Sequence, residues 1–443
     1  MSKTPATTDS TKPPPWYRRI GPGLITACVV IGPGSILTSS KVGANDEYAM
    51  LWVVVVSVAF MMLFMTLGAK LGAVVNSSPG DVIRSKSGKP LAILVGLGVF
   101  FISAAFQSGN NIGVAAAFEA FVESKTIVAV LVVAFNALAI TFLFAFKNMY
   151  AVLEKVMTAF VALMLFCFAV NLVCLGPDPV AMLGGIVPSL GKSGEMLPVL
   201  GLVGTTFVIT AAFYQAYLVR QKGWDIDDVQ DGLVDARIGS VIMFMITLML
   251  MSTAAAGLYT GQPVLLNNPV AVASALEATF GPSAKVIFCL GLFSAAYSSF
   301  LVNSMIGGFM AADGLGIGSR PDQLGPRIMT TIALLTGMLV GLAVLLYDFD
   351  RTPTIIAAQA ATVVASPLVA WVLYWLTCSR DVMGELANST PVKVGGLIGL
   401  ALLVAMAGKT ACYDLPAALD RYLQSAPNET VVSPTTTGEQ GDE

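Results

Sequence analysis

Eleven stretches of about twenty predominantly apolar residues follow one another along the chain, at 20–41, 49–74, 91–121, 126–146, 152–175, 197–219, 237–259, 284–312, 328–347, 354–377 and 393–411. Charges and turn residues collect in the connections between them. Runs of that length match the hydrocarbon thickness of a bilayer when coiled as α-helix, so the pattern predicts an all-α, multi-pass membrane protein. Residues 1–17 are polar and Pro/Thr-rich and read as a disordered tail rather than a signal peptide. The transporter domain is expected over 18–411, followed by a polar tail at 412–443.

Charge distribution orients the spans. Alternating sides along the chain, 17 of the 24 Lys and Arg residues fall on the side of the N-terminus. The positive-inside rule then places the N-terminus in the cytoplasm and, with an odd number of spans, the C-terminus outside a plasma or inner membrane.

Two spans carry a sign of interruption. Gly32-Pro33-Gly34-Ser35 falls inside the first, where Pro removes a donor and Gly weakens the helix. The sixth contains Thr205-Thr206-Phe207-Val208-Ile209-Thr210-Ala211-Ala212, which is polar and small but has no residue that compels a break. The breaks lie five spans apart, as expected of a 5+5 inverted repeat whose binding site sits at the membrane midplane. Backbone freed by a break has to face protein, water or ligand.

Composition sharpens the picture by exclusion. Of 443 residues, 56% are hydrophobic and 12% charged, and there is no histidine, so the commonest general base and the commonest transition-metal ligand are both missing. No nucleophile and base pair is visible within the spans, which speaks against an enzyme. The six cysteines are scattered, with no metal-ligand spacing, and no cofactor is expected. A net charge of −3 gives no reason to expect a nucleic-acid partner; the lipid bilayer is the expected surround and the chain is read as a monomer. The membrane interior is read as almost free of ionisable groups, with Glu119, Glu154 and Lys155 near span ends.

Several motifs, in order along the chain, resemble the Nramp (natural resistance-associated macrophage protein) family of metal-ion transporters. They are Gly21-Pro22-Gly23, Gly185-Ile186-Val187-Pro188, Gly291-Leu292-Phe293-Ser294-Ala295-Ala296-Tyr297-Ser298-Ser299 and Met383-Gly384-Glu385-Leu386. The resemblance covers about residues 18–410 and implies a LeuT-type fold with helices 1 and 6 interrupted. It also shows what this chain lacks. The family's Asp-Pro-Gly-Asn corresponds to Gly32-Pro33-Gly34-Ser35, its Met-Pro-His to Val208-Ile209-Thr210, and its third-span acidic pair to Gln107 and Asn110. Only Gln359 keeps a ligand type of the family.

With the carboxylate and the thioether gone, a bare transition metal loses its ligands, and bare magnesium loses its anionic partner. The second halves of both broken helices would instead aim their N-terminal N–H groups, around Gly34, Ser35 and Ile36 and around Ala211, Ala212 and Phe213, at one cavity, a geometry suited to an anion. Hydroxyl and amide groups of Ser35, Thr38, Gln107, Ser108, Asn110, Asn111, Thr206, Thr210, Tyr214, Gln215, Tyr297 and Gln359 would supply further bonds, with Gly32, Gly34, Ala211 and Ala212 leaving room. The expected cargo is a small organic anion such as citrate, carried with chelated Mg or Ca. A neutral or zwitterionic solute such as an amino acid is the alternative within the transporter class. A receptor-like, non-transporting homologue is the alternative from another class.

Overall fold

A computed structural model describes residues 21–146, 148–194, 196–266, 268–347, 351–414 and 416, with side chains at all of these except 196, 197, 279, 351–364 and 414. The tails at 1–17 and beyond 416 lie outside the described residues. In chain order the α-helices are α1 (Pro22–Val30), α2 (Pro33–Asp46), α3 (Leu51–Val74), α4 (Pro79–Ser87), α5 (Lys89–Glu119), α6 (Lys125–Ala145), α7 (Met149–Leu175), α8 (Pro179–Gly184), α9 (Met196–Thr206), α10 (Ile209–Lys222), α11 (Val229–Leu258), α12 (Pro269–Phe280), α13 (Pro282–Leu315), α14 (Leu324–Leu346), α15 (Arg351–Cys378), α16 (Arg380–Met383) and α17 (Thr390–Lys409). Among the described residues nine helices are long and apolar enough to cross a bilayer, and the pair α1–α2, bent by 60°, makes a tenth. The remaining apolar run, 354–377, falls inside the 28-residue α15.

Local chemistry punctuates these helices. Pro opens α1, α2, α4, α12 and α13, where its missing N–H costs nothing. Ser78 accepts from Asp81 N–H at 3.1 Å to cap α4, and Asn268 accepts from Ala271 N–H at 2.8 Å to cap α12. Gly176, Gly223 and Gly316 end α7, α10 and α13 in the left-handed region that favours glycine.

The core forms where α13 lies along α5 and where α3 and α11 enclose the broken helices. Small residues permit these approaches: a Cβ at Gly314 would stand 2.5 Å from Ala92 O, and one at Gly307 would stand 2.6 Å from Ser103 Cβ. The Gly68/Gly72 spacing on α3 is a packing seam of the same kind, since those two glycines abut Ala212 and Ala216 of α10.

Three expectations are corrected. The sixth span breaks only at Phe207 and Val208, and α9–α10 still passes as one span over Pro198–Lys222, with no bend comparable to that of α1–α2. Its second half starts at Ile209. Ala211 and Ala212 N–H both donate to Val208 O, at 3.1 and 3.2 Å, so the amides left without an intrahelical acceptor are those of Ile209 and Thr210. Likewise Ile36 N–H donates to Gly32 O at 3.1 Å, which leaves Gly34 and Ser35 on α2.

The interior of the helix bundle is also less neutral than the apolar runs suggest. α11 starts at Val229 and α13 extends to Leu315, so both helices carry an aspartate that hydropathy alone leaves outside. Asp235 and Asp313 are buried, at 0% and 3% exposure. Each works as a cap for another helix. Asp235 accepts from Gly21 and Gly23 N–H at 2.7 and 2.5 Å at the start of α1. Asp313 accepts from Gly80 N–H at 2.8 Å at the start of α4, from Ser78 Oγ at 2.6 Å and from Tyr217 OH at 2.7 Å.

At the other end of the bundle the end of α2 is tied to two connections. Asn45 exchanges hydrogen bonds with Val264, and Asp46 accepts from Ser193 N–H at 2.7 Å. Glu47, whose φ of 56° is the positive value found among described non-glycine residues, pairs with Lys192. That hydrogen bond raises the pKa of the lysine above its ordinary value.

Candidate functional site: the break between α1 and α2

Ending a helix at Val30 leaves carbonyls without partners, and the way they are used defines the site. Ile31 N–H still reaches Ala27 O at 3.2 Å. Gly32 N–H turns to Val30 O at 3.1 Å, and Pro33 has no N–H to give. Hydroxyls from three other places fill in: Ser298 Oγ lies 3.5 Å from Cys28 O, Ser299 Oγ donates to Val29 O at 3.1 Å, and Ser35 Oγ donates to Val30 O at 2.5 Å. Ser35 also contacts Thr205 O at 3.2 Å, and Thr38 Oγ1 lies 3.2 Å from Thr205 Oγ1. The break on the first span and the end of α9 are therefore stitched together by hydroxyl groups.

Gly32 sits at the centre of this arrangement. Its φ of −116° and ψ of −178° are extended and open to any residue, so the backbone does not require glycine. Space there is tight: an added Cβ would meet Ser299 Oγ at 3.1 Å and Asn110 Oδ1 at 3.4 Å, so those side chains would have to give by a few tenths of an ångström. Three helices thus converge on one position through neutral groups.

The predicted polar residues divide by location. Ser35, Thr38, Thr206 and Thr210 are buried, with Gly32, on the elements flanking the two breaks, where Gly34 is half-buried; Asn110 is buried on α5 beside Gly32, and Thr206 Oγ1 has no partner. Gln107 links sideways, its Oε1 accepting from Asn110 Nδ2 at 3.2 Å and from Asn303 Nδ2 at 3.3 Å while its Nε2 is unpaired. Asn111 turns toward α6 and α14, accepting from Asn136 Nδ2 at 2.7 Å and packing against Gly341. Ser108 Oγ returns to Ala105 O within its own helix. The Gln107–Asn111 cluster is thus largely an interhelical joint, with Asn110 bordering Gly32. Replacing Asn136 by Leu should leave Asn111 Oδ1 without this donor and lower the melting temperature only slightly, an interhelical bond of this kind contributing about 0.6–2 kcal/mol; a thermal melt in detergent checks it.

Five predicted residues stand elsewhere. Gln215 donates to Asp235 Oδ2 at 3.1 Å and accepts from Thr26 Oγ1 at 2.5 Å, so it belongs to the clasp at the start of α1. Tyr297 donates to Phe135 O at 3.3 Å inside an aromatic cluster with Phe118, Phe293 and Phe300. Tyr214 is wedged between Tyr217 and Phe309, with ring centroids 5.7 and 6.1 Å away. Ala212 packs on Gly68, while Ala211 lies buried beside it. The side chain of Gln359 lies outside the described residues. Conversely, Ser298, Ser299 and Thr205 were not among the candidates, although their hydroxyls do most of the stitching. An unusual density of serine on the eighth span was the available signal.

Residues 23–412 match the family description "Natural resistance-associated macrophage protein-like". The chain belongs to the Nramp family. Among its relatives, the divalent metal cation transporter MntH of Deinococcus radiodurans is 25% identical over 413 residues, spanning 91% of this chain and 92% of that one. MntH of Chromohalobacter salexigens is 24% identical over 404 residues, 88% and 90% of the two chains. The crystal structure of the Eremococcus coleocola manganese transporter with an aromatic bis-isothiourea compound superposes with a TM-score of 0.77 at 19% identity, covering 95% of this chain and 93% of that one. MhsT in complex with L-phenylalanine superposes with a TM-score of 0.57 at 16% identity, covering 87% and 98%. The fold is that of Nramp and LeuT-type transporters, with helices 1 and 6 broken, and the protein is a multi-pass membrane transporter. Within this Nramp framework the break falls at Gly32. Among the described residues no group of three His, Cys, Asp or Glu side chains is placed to hold a metal ion.

Proposed function

We propose that this Nramp protein moves its cargo by alternating access through the α1–α2 break, and that a divalent metal arrives there already complexed by an organic polycarboxylate, with Mg or Ca citrate as the first probe. The neutral surroundings of Gly32 carry the reading. A divalent ion stripped of water needs anionic ligands, and a desolvated uncompensated charge is costly. A chelate brings its own carboxylates and reduces the net positive charge the protein must accommodate. Amides of Gly34, Ser35, Ile209 and Thr210, at the N-terminal ends of α2 and α10, suit the carboxylate oxygens of such a complex. The bias of Lys and Arg along the chain supports an N-terminus in the cytoplasm and a C-terminus outside. A monomer is sufficient, since the candidate site uses one chain.

A second reading is favoured by the relatives, which are named divalent metal cation transporters: the cargo is the bare cation, held by carbonyl, hydroxyl and amide oxygens. Uptake into proteoliposomes separates the two. Radiolabelled citrate uptake that requires Mg or Ca, and falls at least tenfold in Gly32→Asp, is the expected result. A carboxylate at residue 32 would stand against Asn110 and Ser299 and repel the anionic complex. Manganese or magnesium uptake that proceeds equally without citrate would overturn the chelate reading in favour of the bare cation. Uptake of neither by protein shown to be folded would sink both and turn attention to a neutral solute or to a receptor role.

A further inference from the structure

We infer that the connection between α7 and α9 is an interfacial anchor, seated through its side chains at the boundary of acyl chains and headgroups in the leaflet opposite the N-terminus. Between Asp178 and Lys192 the chain carries no charged residue. Val180, Leu183, Val187 and Leu190 in this stretch are between 65% and 92% exposed. Four large aliphatic side chains turned outward in one short connection are unfavourable against water, and a patch of that kind marks a surface that something apolar covers.

Hydrogen bonds hold these side chains outward. Trp52 N–H donates to Gly185 O at 2.9 Å, Trp52 Nε1 donates to Ser189 O at 3.0 Å, and Ser189 Oγ donates to Ala49 O at 2.9 Å. Gly185 lies so close to Tyr48 that an added Cβ would stand 2.0 Å from its carbonyl oxygen, which leaves the stretch no room to roll inward. Ala181 and Met182 take the inner side, packed on the cluster that contains Tyr48, Met50 and Leu51. The motif Gly185-Ile186-Val187-Pro188 thereby divides its work, Gly185 allowing the close approach and Val187 joining the patch.

The same bonds set the depth and choose the occupant. Trp52 is the second residue of the apolar span α3, and Leu175 is the last of α7. A segment held between those two residues lies where two spans leave the hydrocarbon, the level at which tryptophan concentrates in membrane proteins. Phe166 and Val173, exposed on α7, lead into Val180, so the patch continues the lipid-facing surface of that span. A lipid leaflet is the partner of matching chemistry: an extended apolar layer that asks for no charged contact, in which an apolar face lies along the interface plane.

This anchor reaches both broken spans. Lys192 pairs with Glu47 and Ser193 N–H bonds to Asp46 at the end of α2, and the chain then enters α9. Lipid held by the connection therefore bears on the halves of both broken spans that lie on that side. The inference rests on the membrane placement of the spans alone, so its failure is separate from failure of the chelate reading.

Its test uses Leu183→Cys, Val187→Cys and Leu190→Cys, each spin-labelled in protein whose Cys174, Cys378 and Cys412, the cysteines that are not buried, are replaced by serine. The protein is reconstituted at one copy per phosphatidylcholine nanodisc, and power saturation compares collisions with oxygen and with a water-soluble nickel chelate. The oxygen-to-nickel ratio should exceed that of Gln262→Cys, in the exposed α11–α12 connection at the same end of the bundle, at least threefold at all three positions. Ratios below that margin at two of the three would overturn the anchor. Low ratios in single-copy discs, joined by spin–spin broadening when two copies share a disc, would assign the patch to a second copy instead. Should the labelled variants fail to fold, unsubstituted protein is irradiated in discs containing a phosphatidylcholine with a diazirine close to its glycerol backbone. Lipid adducts within residues 179–191 are then expected, and adducts on α7 with none in that stretch would overturn the anchor equally.

Discussion

Replacing Asp235 by Ala should cause the largest loss of stability of any change considered, lowering the detergent melting temperature by about 5–10 °C, because three buried donors lose their acceptor at once. Gly21 N–H, Gly23 N–H and Gln215 Nε2 all converge on its carboxylate. No other part of α1 can turn to replace it, since Gly23 lies against the Asp235 backbone and Gly239 lies against Gly23, leaving no room for a rearranged side chain. Each unsatisfied buried group costs about 1–3 kcal/mol, and disruption of a buried charged cluster costs about 3–5 kcal/mol in total. Asp235→Asn keeps one acceptor and should fall between wild type and Asp235→Ala. The clasp also holds the first half of the broken span against α11, beside the Lys222–Glu154 pair. Cys28, buried on α1, offers a second readout: its labelling by a small thiol reagent should rise in Asp235→Ala as α1 loosens. Unchanged melting together with unchanged Cys28 labelling would show that the carboxylate does not hold this helix.

Gly113→Val is expected to abolish transport while leaving most of the fold intact. Gly113 lies on α5 where the ring of Pro33 nests against it, and an added Cβ would stand 2.6 Å from Pro33 Cβ and 3.2 Å from Ala296 Cβ. The proline ring is rigid and cannot swing away, so the break itself has to move. Overpacking of this kind costs about 1–3 kcal/mol, a modest part of total stability. It falls on the residue that sets the path between α1 and α2, so uptake should drop more than tenfold for whichever cargo the proteoliposome assay identifies. Gly109→Ala provides the control on the same helix, because a Cβ there meets nothing within 4 Å. That variant should transport normally and melt slightly higher, alanine being favoured over glycine by about 1 kcal/mol in a helix interior. Equal transport by Gly113→Val and Gly109→Ala would mean that the position of Pro33 is not critical.

Hydropathy and punctuation were enough to read the order of the spans and nearly their number, eleven expected against nine or ten among the described residues, because each needs its own twenty-residue apolar run and Pro or Gly marks most of its ends. The position of the first break was legible for the same reason: Gly32-Pro33-Gly34 cannot continue a helix, and α1 ends within two residues of it. The family, too, followed from motifs whose order along the chain is preserved. That Gly32, Gln107 and Asn110 bring no carboxylate required only the sequence, since a residue type without one cannot supply it in any fold.

Tertiary structure decided what hydropathy averages away. A window that sums over twenty residues places Asp235 and Asp313 outside the membrane, yet hydrogen bonds from helix N-termini make their burial tolerable, and those donors come from residues more than two hundred positions away in the chain. The same limit misplaced Gln215 and Tyr297. Both are polar residues on helices near the breaks, but one faces Asp235 and the other an aromatic cluster, and facing is set by how helices rotate against their neighbours. Ser298 and Ser299 show the converse. Serine in a membrane helix commonly bonds back to its own backbone, and only the approach of α1, allowed by the missing side chain at Gly32, turns these two hydroxyls toward carbonyls that no backbone amide can reach.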